Sequence, residues 1–534
     1  MTRAAAALPE LLAEATRLHR AGRLDQAAAL YRRIISADPR QADALHLLGL
    51  VHHARGEQEA ALAAVDRAIG VRADIAAFHV SRGAVLMALR QPQDAADAAR
   101  RALALDPSNA EACNMLGNAL MGLHEVDGAV AFYRQAIRFR PDYVEALNNL
   151  GSALRALDRP PDAEAALRKA LRLRPAYASA LANLGLVLQD RQRWAEALDC
   201  LDRAVAAEPS HATAHANRAL LLLLLGRLGE GFAEYEWRWR APGFATPARA
   251  FRQAPWDGGE LAGRTLFVHA EQGLGSAIQF ARFACAATGR GGPVILECQC
   301  PLERLFHQSL AAPAGPLAAV AVKGQALPEF DTHAPLMSLP HLLGIGLETL
   351  PADVPYLRAD DDDRARWRSR LAETGRPRIG LTWAGNPGHE NDRNRSMPAA
   401  ALAPLIEATA ASFFSLQVPA RPADIAALPA GRVTDLAPEL RDFAETAAVI
   451  ANLDLVVSVD TAVAHLAGAL ARPVLLLLPH IPEWRWLLDR LDTPWYPTMR
   501  LFRQTALGNW AGVVAQVAAA IQEERAGLVG PVGQ

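Results

Sequence analysis

Small and apolar residues return at a fixed step along the first two fifths of the chain. Gly49, Gly83, Gly117, Gly151 and Gly185 lie 34 apart, as do Ala27, Ala61, Ala95, Ala129, Ala163 and Ala197. Pro107, Pro141, Pro175 and Pro209 keep the same step, with Pro39 two steps ahead of Pro107. Three registers sharing one period predict six units of paired antiparallel helices over residues 8–211. The Gly and Ala positions fall where two helices cross, because only small side chains allow close approach. The prolines mark unit boundaries, because proline cannot continue a helix. A seventh unit begins at Ala212, with Ala219 and Gly231 at its marker positions, and runs into EYEWRWRAPGF. That segment is expected to cap the repeats and link them to the rest of the chain, so the repeat region is taken as 1–245.

From about Pro255 the pattern changes to short, continuous apolar runs. RTLFVHA, GPVILECQ and LAAVAVKG alternate with helical or loop stretches, and after Arg376 come RIGLTWAG, SFFSLQV, RVTDLA, LDLVVSVD and PVLLLLP. Apolar strands between helices predict parallel sheets covered on both faces. Two such α/β domains are expected, at 255–370 and 376–525, with a cleft between the carboxyl ends of their strands. The charged run RADDDDRARWRSRL, Arg358 to Leu371, reads as a solvated connector.

Composition narrows the function classes. A length of 534 residues fits three or four domains at about 150 residues each. The net charge of −2 argues against a nucleic-acid partner. The five cysteines do not form a disulfide framework, and no Cys/His pair joins Cys298 and Cys300, expected on one strand face, in a zinc site. The run ALLLLLLG at Ala219–Gly226 is too short to span a bilayer. The first twenty residues lack an apolar core of signal-peptide length, so a cytoplasmic location is expected.

The 34-residue spacing of Gly, then Ala twelve later, then Pro twelve after that resembles the tetratricopeptide repeat. WAGNPGHENDRNRSMP, DLAPELRDFAETAAVIANLDLVVSVDTAVAHLAGALARPVLLLLP, PEWRW and DTPWYPTMRLFRQ resemble bacterial tetratricopeptide-repeat glycosyltransferases of family 9, the heptosyltransferase group. The resemblance implies a GT-B fold of two facing Rossmann-like domains behind an α-solenoid, and is similar in architecture to the O-GlcNAc transferases. It further implies an inverting enzyme that takes a sugar from a nucleotide donor and needs neither metal nor cofactor. The repeats would choose a protein or peptide acceptor, with a flagellin-like protein a candidate in view of flagellin glycosyltransferases of similar layout. A repeat scaffold carrying a degenerate transferase domain is the competing reading.

Candidate chemistry gathers at strand ends. Gly385, Asn386, Arg393 and Arg395 follow the strand RIGLTWAG, and guanidinium forks match diphosphate oxygens. Arg395 resembles the family's phosphate-binding lysine by its spacing ahead of Pro398; the alternative is an ion pair with Asp392. Asp460, Thr461, Ala462 and His465 match the family's D-T/S-G-x-x-H loop, with Ala462 in place of glycine. Asp460 is alternatively a helix cap, and His465 a core residue. Gln417 is placed to read base or ribose. Trp484 stacks either on a base or sugar, or in the core. In HAEQGLGSAIQFARF the family's GLGD aspartate, its candidate general base, is replaced by Ser276. Serine is a poor base without a partner, which leaves Glu271 or His269 on the same turn, the leaving phosphate, or no turnover at all. Asn149, Asn183 and Asn217, 34 apart, are either a carboxamide ladder for an extended acceptor peptide or simply solvated.

Overall fold

The computed structural model describes residues 8–244, 246–313, 315–388, 391–419 and 422–528. Six helix pairs run from Leu8–Arg20 and Leu24–Ala37 to Ala178–Asp190 and Trp194–Ala207. The period has a steric origin. A Cβ on Gly49 would lie 2.6 Å from Val65, one on Gly117 2.5 Å from Tyr133, and one on Gly151 2.5 Å from Leu167. Each glycine therefore lets the second helix of its own pair cross at contact distance. The second helices end one residue before the C-cap that precedes the proline, as at Leu105, Asp106 and Pro107. The turn inside each pair needs a left-handed residue, supplied by Gly22 and Gly56 in the first two pairs and by Arg90, His124, Asp158 and Gln192 in the next four. Those four non-glycine residues carry a local backbone cost.

The chain divides into two compact units, one ending at Ala214 and the other beginning at His215. Helix Ala212–Leu224 carries the division, and residues 215–244 belong with the second unit.

The second unit holds two all-parallel sheets. The first has the order β3-β2-β1-β4, with β1 Leu266–His269, β2 Val294–Cys298, β3 Ala319–Val322 and β4 Thr332–Pro335. The second has the order β10-β9-β8-β5-β6-β7, with β5 Arg378–Thr382, β6 Ser412–Ser415, β7 Val433–Asp435, β8 Leu455–Val459, β9 Val474–Leu478 and β10 Met499–Arg503. The runs read as strands form β1–β3 and β5–β9; β4 and β10 add to them. β2 ends at Cys298, so exposed Cys300 lies beyond the strand rather than on its face.

The charged connector is more than a solvated surface. Asp360 caps helix Asp361–Arg370 through the amides of Asp362 and Asp363. Arg366 and Trp367 donate to Glu445, which is 1% exposed, at 2.8 and 2.7 Å. Arg304 from the first sheet's side donates to both oxygens of Asp442 at 2.9 Å. These contacts fasten the two α/β halves together.

Candidate functional site

Parallel strands all point the same way, so the loops after β5, β6, β8 and β9 emerge along one edge of the six-stranded sheet. The loop after β8 is fixed first. Thr382 on β5 pairs with Ser458 on β8, and Ser458 Oγ lies 3.2 Å from Thr461 Oγ1. Thr461 is the N-cap of helix Ala462–Ala469, yet its hydroxyl makes no capping bond. The unpaired first amides of that helix therefore face the edge with partial positive charge. Asp460 does not cap the helix, which overturns the capping alternative; its Oδ1 lies 3.8 Å from His465 Nε2.

His465 is 4% exposed and stacks on Trp486 at 5.2 Å. Burial, with Arg485, Arg282 and Arg395 adding to it, drives its pKa well below the usual histidine value, so the ring is neutral. Its Nδ1 lies 3.0 Å from Tyr496 Oη. If the tyrosine donates to Nδ1, the remaining proton sits on Nε2, on the side of Asp460.

Arg395 forms the ion pair offered as the alternative to phosphate binding, and it also reaches the loop after β8. Its Nε donates to Asp392 at 3.3 Å, and its Nη1 reaches the Asp460 carbonyl oxygen at 3.4 Å. The guanidinium lies against Gly385, where a Cβ would come within 2.5 Å of Nη2. The Gly385 amide donates to Ser396 Oγ at 2.9 Å, and Asn386 closes a turn onto the Gly388 amide at 3.0 Å. Arg393 is exposed.

Two sequence candidates on this edge turn out to be structural. Gln417 is 7% exposed, and its carbonyl oxygen accepts the amides of Trp383 and Ala384 at 3.2 and 3.0 Å. It pegs the β5 loop, so that oxygen is not available to a base or ribose. Trp484 is 6% exposed and packs edge-on against Phe232, Phe280 and Trp495 with centroids 5.9–6.4 Å apart. Its rings fill the core rather than offering a stacking face.

The opposite wall is helix Leu274–Ala287, which opens on GLGS. Its N-terminus meets that of helix Ala462–Ala469: a Cβ on Gly275 would lie 3.0 Å from His465 Cδ2 and 3.5 Å from Ala462 Cα. Ser276 Oγ accepts from Arg485 Nη2 at 3.0 Å and lies 3.3 Å from Gln272 Oε1. Neither substitute base on this turn is suited to the task. Glu271 is 3% exposed, and both its oxygens are taken, by Arg238 at 3.0–3.1 Å and by the Met337 amide at 2.8 Å. Burial raises its pKa while Arg238 opposes the rise. Its side chain is 0% exposed, and the residue is a structural counter-ion. His269 is 4% exposed among Phe251, Phe267 and His333. Burial, with Arg249 and His333 adding to it, lowers its pKa to about 3, so it packs as a neutral ring.

Two further residues of this edge, Glu483 and Tyr496, carry no local signal in the sequence, although they lie in the family-like stretches PEWRW and DTPWYP. Glu483 pairs with Arg485 through Nη1 and accepts the Arg485 amide at 3.0 Å. Its side chain keeps 28% of its surface open. Among the described residues, no three His, Cys, Asp or Glu side chains group as metal ligands, and no helix is long and apolar enough to cross a membrane.

In the repeats, the asparagine row is partly spoken for. Asn149 Nδ2 donates to Asn114 and Asn118 at 3.1 and 3.0 Å, and Asn183 Nδ2 donates to Asn148 at 2.9 Å. These carboxamides tie each repeat to the one before it and are not simply solvated. Asn217 Nδ2 is buried without a hydrogen-bond partner.

A helical-repeat solenoid followed by an α/β region with two parallel sheets defines the class: a repeat protein with a GT-B-like region. Comparison with known proteins is more particular. Residues 12–78 and several overlapping stretches from 80 to 241 match the tetratricopeptide repeat. Residues 407–485 match glycosyltransferase family 9 (heptosyltransferase). That match includes Gln417, the Asp460–His465 loop and Trp484, and excludes Arg395 and the GLGS turn. The chain thus matches the tetratricopeptide repeat over its first part and glycosyltransferase family 9 over residues 407–485. Protein FlbA of Caulobacter vibrioides is 29% identical over 337 residues, 57% of this chain and 54% of its own; the chain spans about half the length of that relative. Among solved structures, the APC/C hetero-tetramer Cut9–Hcn1 is 19% identical, with a TM-score of 0.38 over 40% of this chain and 43% of its own. YrrB, a tetratricopeptide protein with an unusual peptide-binding site, is 23% identical, with a TM-score of 0.28 over 34% of this chain and 95% of its own.

Proposed function

We propose that the protein transfers a sugar from a nucleotide-sugar donor to a protein side chain, with inversion and without a metal, and that the repeats select the acceptor. The observation that carries this is the meeting of Arg395, Thr461, the open N-terminus of helix Ala462–Ala469 and His465 on one sheet edge. A departing nucleoside diphosphate needs positive charge and hydrogen-bond donors already in place. Arg395 supplies the first, and the helix amides and the Thr461 hydroxyl supply the second. Ala462 in place of glycine leaves the hydroxyl contact intact.

The test is calorimetry of the full chain with UDP, GDP, dTDP and CMP, followed by mass analysis of candidate acceptor proteins, flagellin among them, after incubation with the matching sugar nucleotides. A bound nucleotide and a mass shift of one sugar support the reading. The scaffold reading draws on Ser276 and on the commitment of Glu271 and His269 to packing. It predicts that no sugar nucleotide is consumed.

A further inference from the structure

Ser276 on the GLGS turn carries no carboxylate, and the half that holds the six-stranded sheet sets one close to it. Arg485 bridges the two places. Its Nη2 donates to Ser276 Oγ at 3.0 Å, its Nη1 pairs with Glu483, and its Nε donates to Gln279. Glu483 is thus one guanidinium away from Ser276. It stands on the loop after β9, beside the edge that carries Asp460 and Arg395. Each carboxylate oxygen accepts one bond from Arg485, which leaves lone pairs free. With 28% of its side chain open it can meet a substrate, whereas Glu271, whose side chain is 0% exposed, cannot.

We propose that Glu483 is the general base of the transfer, an inference that rests on the glycosyltransferase reading above. The acceptor oxygen attacks the anomeric carbon of the sugar and forms the new bond. The bond from that carbon to the diphosphate oxygen breaks, and its electron pair leaves with the nucleoside diphosphate. The proton of the acceptor hydroxyl passes to the Glu483 carboxylate, with Arg485 holding that carboxylate in line.

The electrostatics of the loop suit the task. Burial raises the Glu483 carboxyl to about 7; Asp460 adds to the rise, while Arg485 and Arg395 oppose it. A base that titrates near the working pH combines adequate strength with adequate population. A glutamate that merely capped the short helix Trp484–Trp486 would need no such environment.

The experiment uses the full chain and hydrolysis of UDP-, GDP-, dTDP- and CMP-activated sugars, with water as acceptor and nucleotide release as readout, from pH 5 to 9. Wild type is expected to show an acidic limb in kcat/KM with a midpoint near 7. Glu483→Gln should lose the limb and about 10²–10⁴-fold in rate, while its affinity for the nucleoside diphosphate stays within about threefold. Glu483→Asp, which keeps a carboxylate, should retain the limb at a reduced rate. If Glu483→Gln keeps both the wild-type rate and the limb, or if a folded Glu483→Asp loses the limb, Glu483 is not the base and the transferase reading is untouched. If wild type releases nucleotide from none of the donors, the transferase reading fails and this proposal fails with it.

Discussion

The contact between Gly385 and Arg395 can be turned into a test of the donor site without touching any charged group. In Gly385→Ala the new methyl would sit 2.5 Å from Nη2, 2.7 Å from Cζ and 2.9 Å from Nε of Arg395. The guanidinium is the far end of a flexible side chain with 16% of its surface exposed, so it can swing aside and the fold should lose less than about 1 kcal/mol. What is lost is its position over the Asp460 loop. A charge-assisted hydrogen bond to a phosphate oxygen is worth about 1.5–3 kcal/mol. At about 1.4 kcal/mol per factor of ten, nucleoside diphosphate binding should weaken by about 10- to 150-fold. Gly388→Ala in the same loop is the control, because its Cβ would meet only Asn386, with Oδ1 nearest at 3.4 Å. Calorimetry with the nucleotide that wild type binds best, at low and high salt, is the assay, and the wild-type salt dependence should be the steeper. Equal affinity in Gly385→Ala and wild type, or equal losses in Gly385→Ala and Gly388→Ala, would refute the assignment of Arg395 to the diphosphate.

Other expectations concern residues that the structure reassigns. Glu271→Gln removes one of the two carboxylates paired with Arg238, which is 2% exposed and keeps Glu236 at 2.7 Å, and should cost about 1–3 kcal/mol in denaturant unfolding, while the surviving folded protein binds nucleotide normally. The folded pKa of His269, about 3, lies below the ordinary histidine value of 6.5, so its contribution to stability is full above pH 6.5 and is lost as pH falls toward 3. Unfolding of wild type should therefore become easier across that window by up to about 4 kcal/mol relative to His269→Phe; parallel pH profiles for the two would contradict a buried neutral ring. Ser276→Asp places a carboxylate within reach of Arg485, which would hold it ionised and weakly basic, so hydrolysis should not speed up; a gain of tenfold or more would restore the turn as the source of the base. Asn149→Ala removes two inter-repeat bonds and should lower solenoid stability by about 1–3 kcal/mol, read by thermal unfolding.

The sequence revealed elements wherever one local rule governed many residues, and it misled where a polar side chain had two possible partners. The repeats were legible because the glycine at Gly49, Gly117, Gly151 and Gly185 admits the second helix of its own pair at contact distance, which writes a steric constraint into the spacing. The inner strands were legible because a parallel strand covered on both faces has no polar positions to interrupt it. β4 and β10 were harder. Both lie at sheet edges, as do the legible β3 and β7; β10, MRLFR, in addition mixes buried and exposed positions with two arginines in five residues. Polar residues at strand ends are the natural candidates for a ligand site, but a strand end also leaves buried backbone amides in need of acceptors. Gln417 answers that second demand for Trp383 and Ala384. Glu271 answers the analogous demand for Met337 and for Arg238, which lies 33 positions away in sequence. Nothing in the local pattern separates the two uses. Glu483 shows the converse. Between a proline and a tryptophan it reads as a surface residue; in the fold, burial raises its carboxyl and Asp460 adds to the rise, against Arg485 and Arg395. The chemistry of this edge depends less on which polar residues the loops carry than on which of them the fold leaves uncommitted. That places the decisive experiments on Glu483 and Arg395 rather than on the glycine turn that stands out in the sequence.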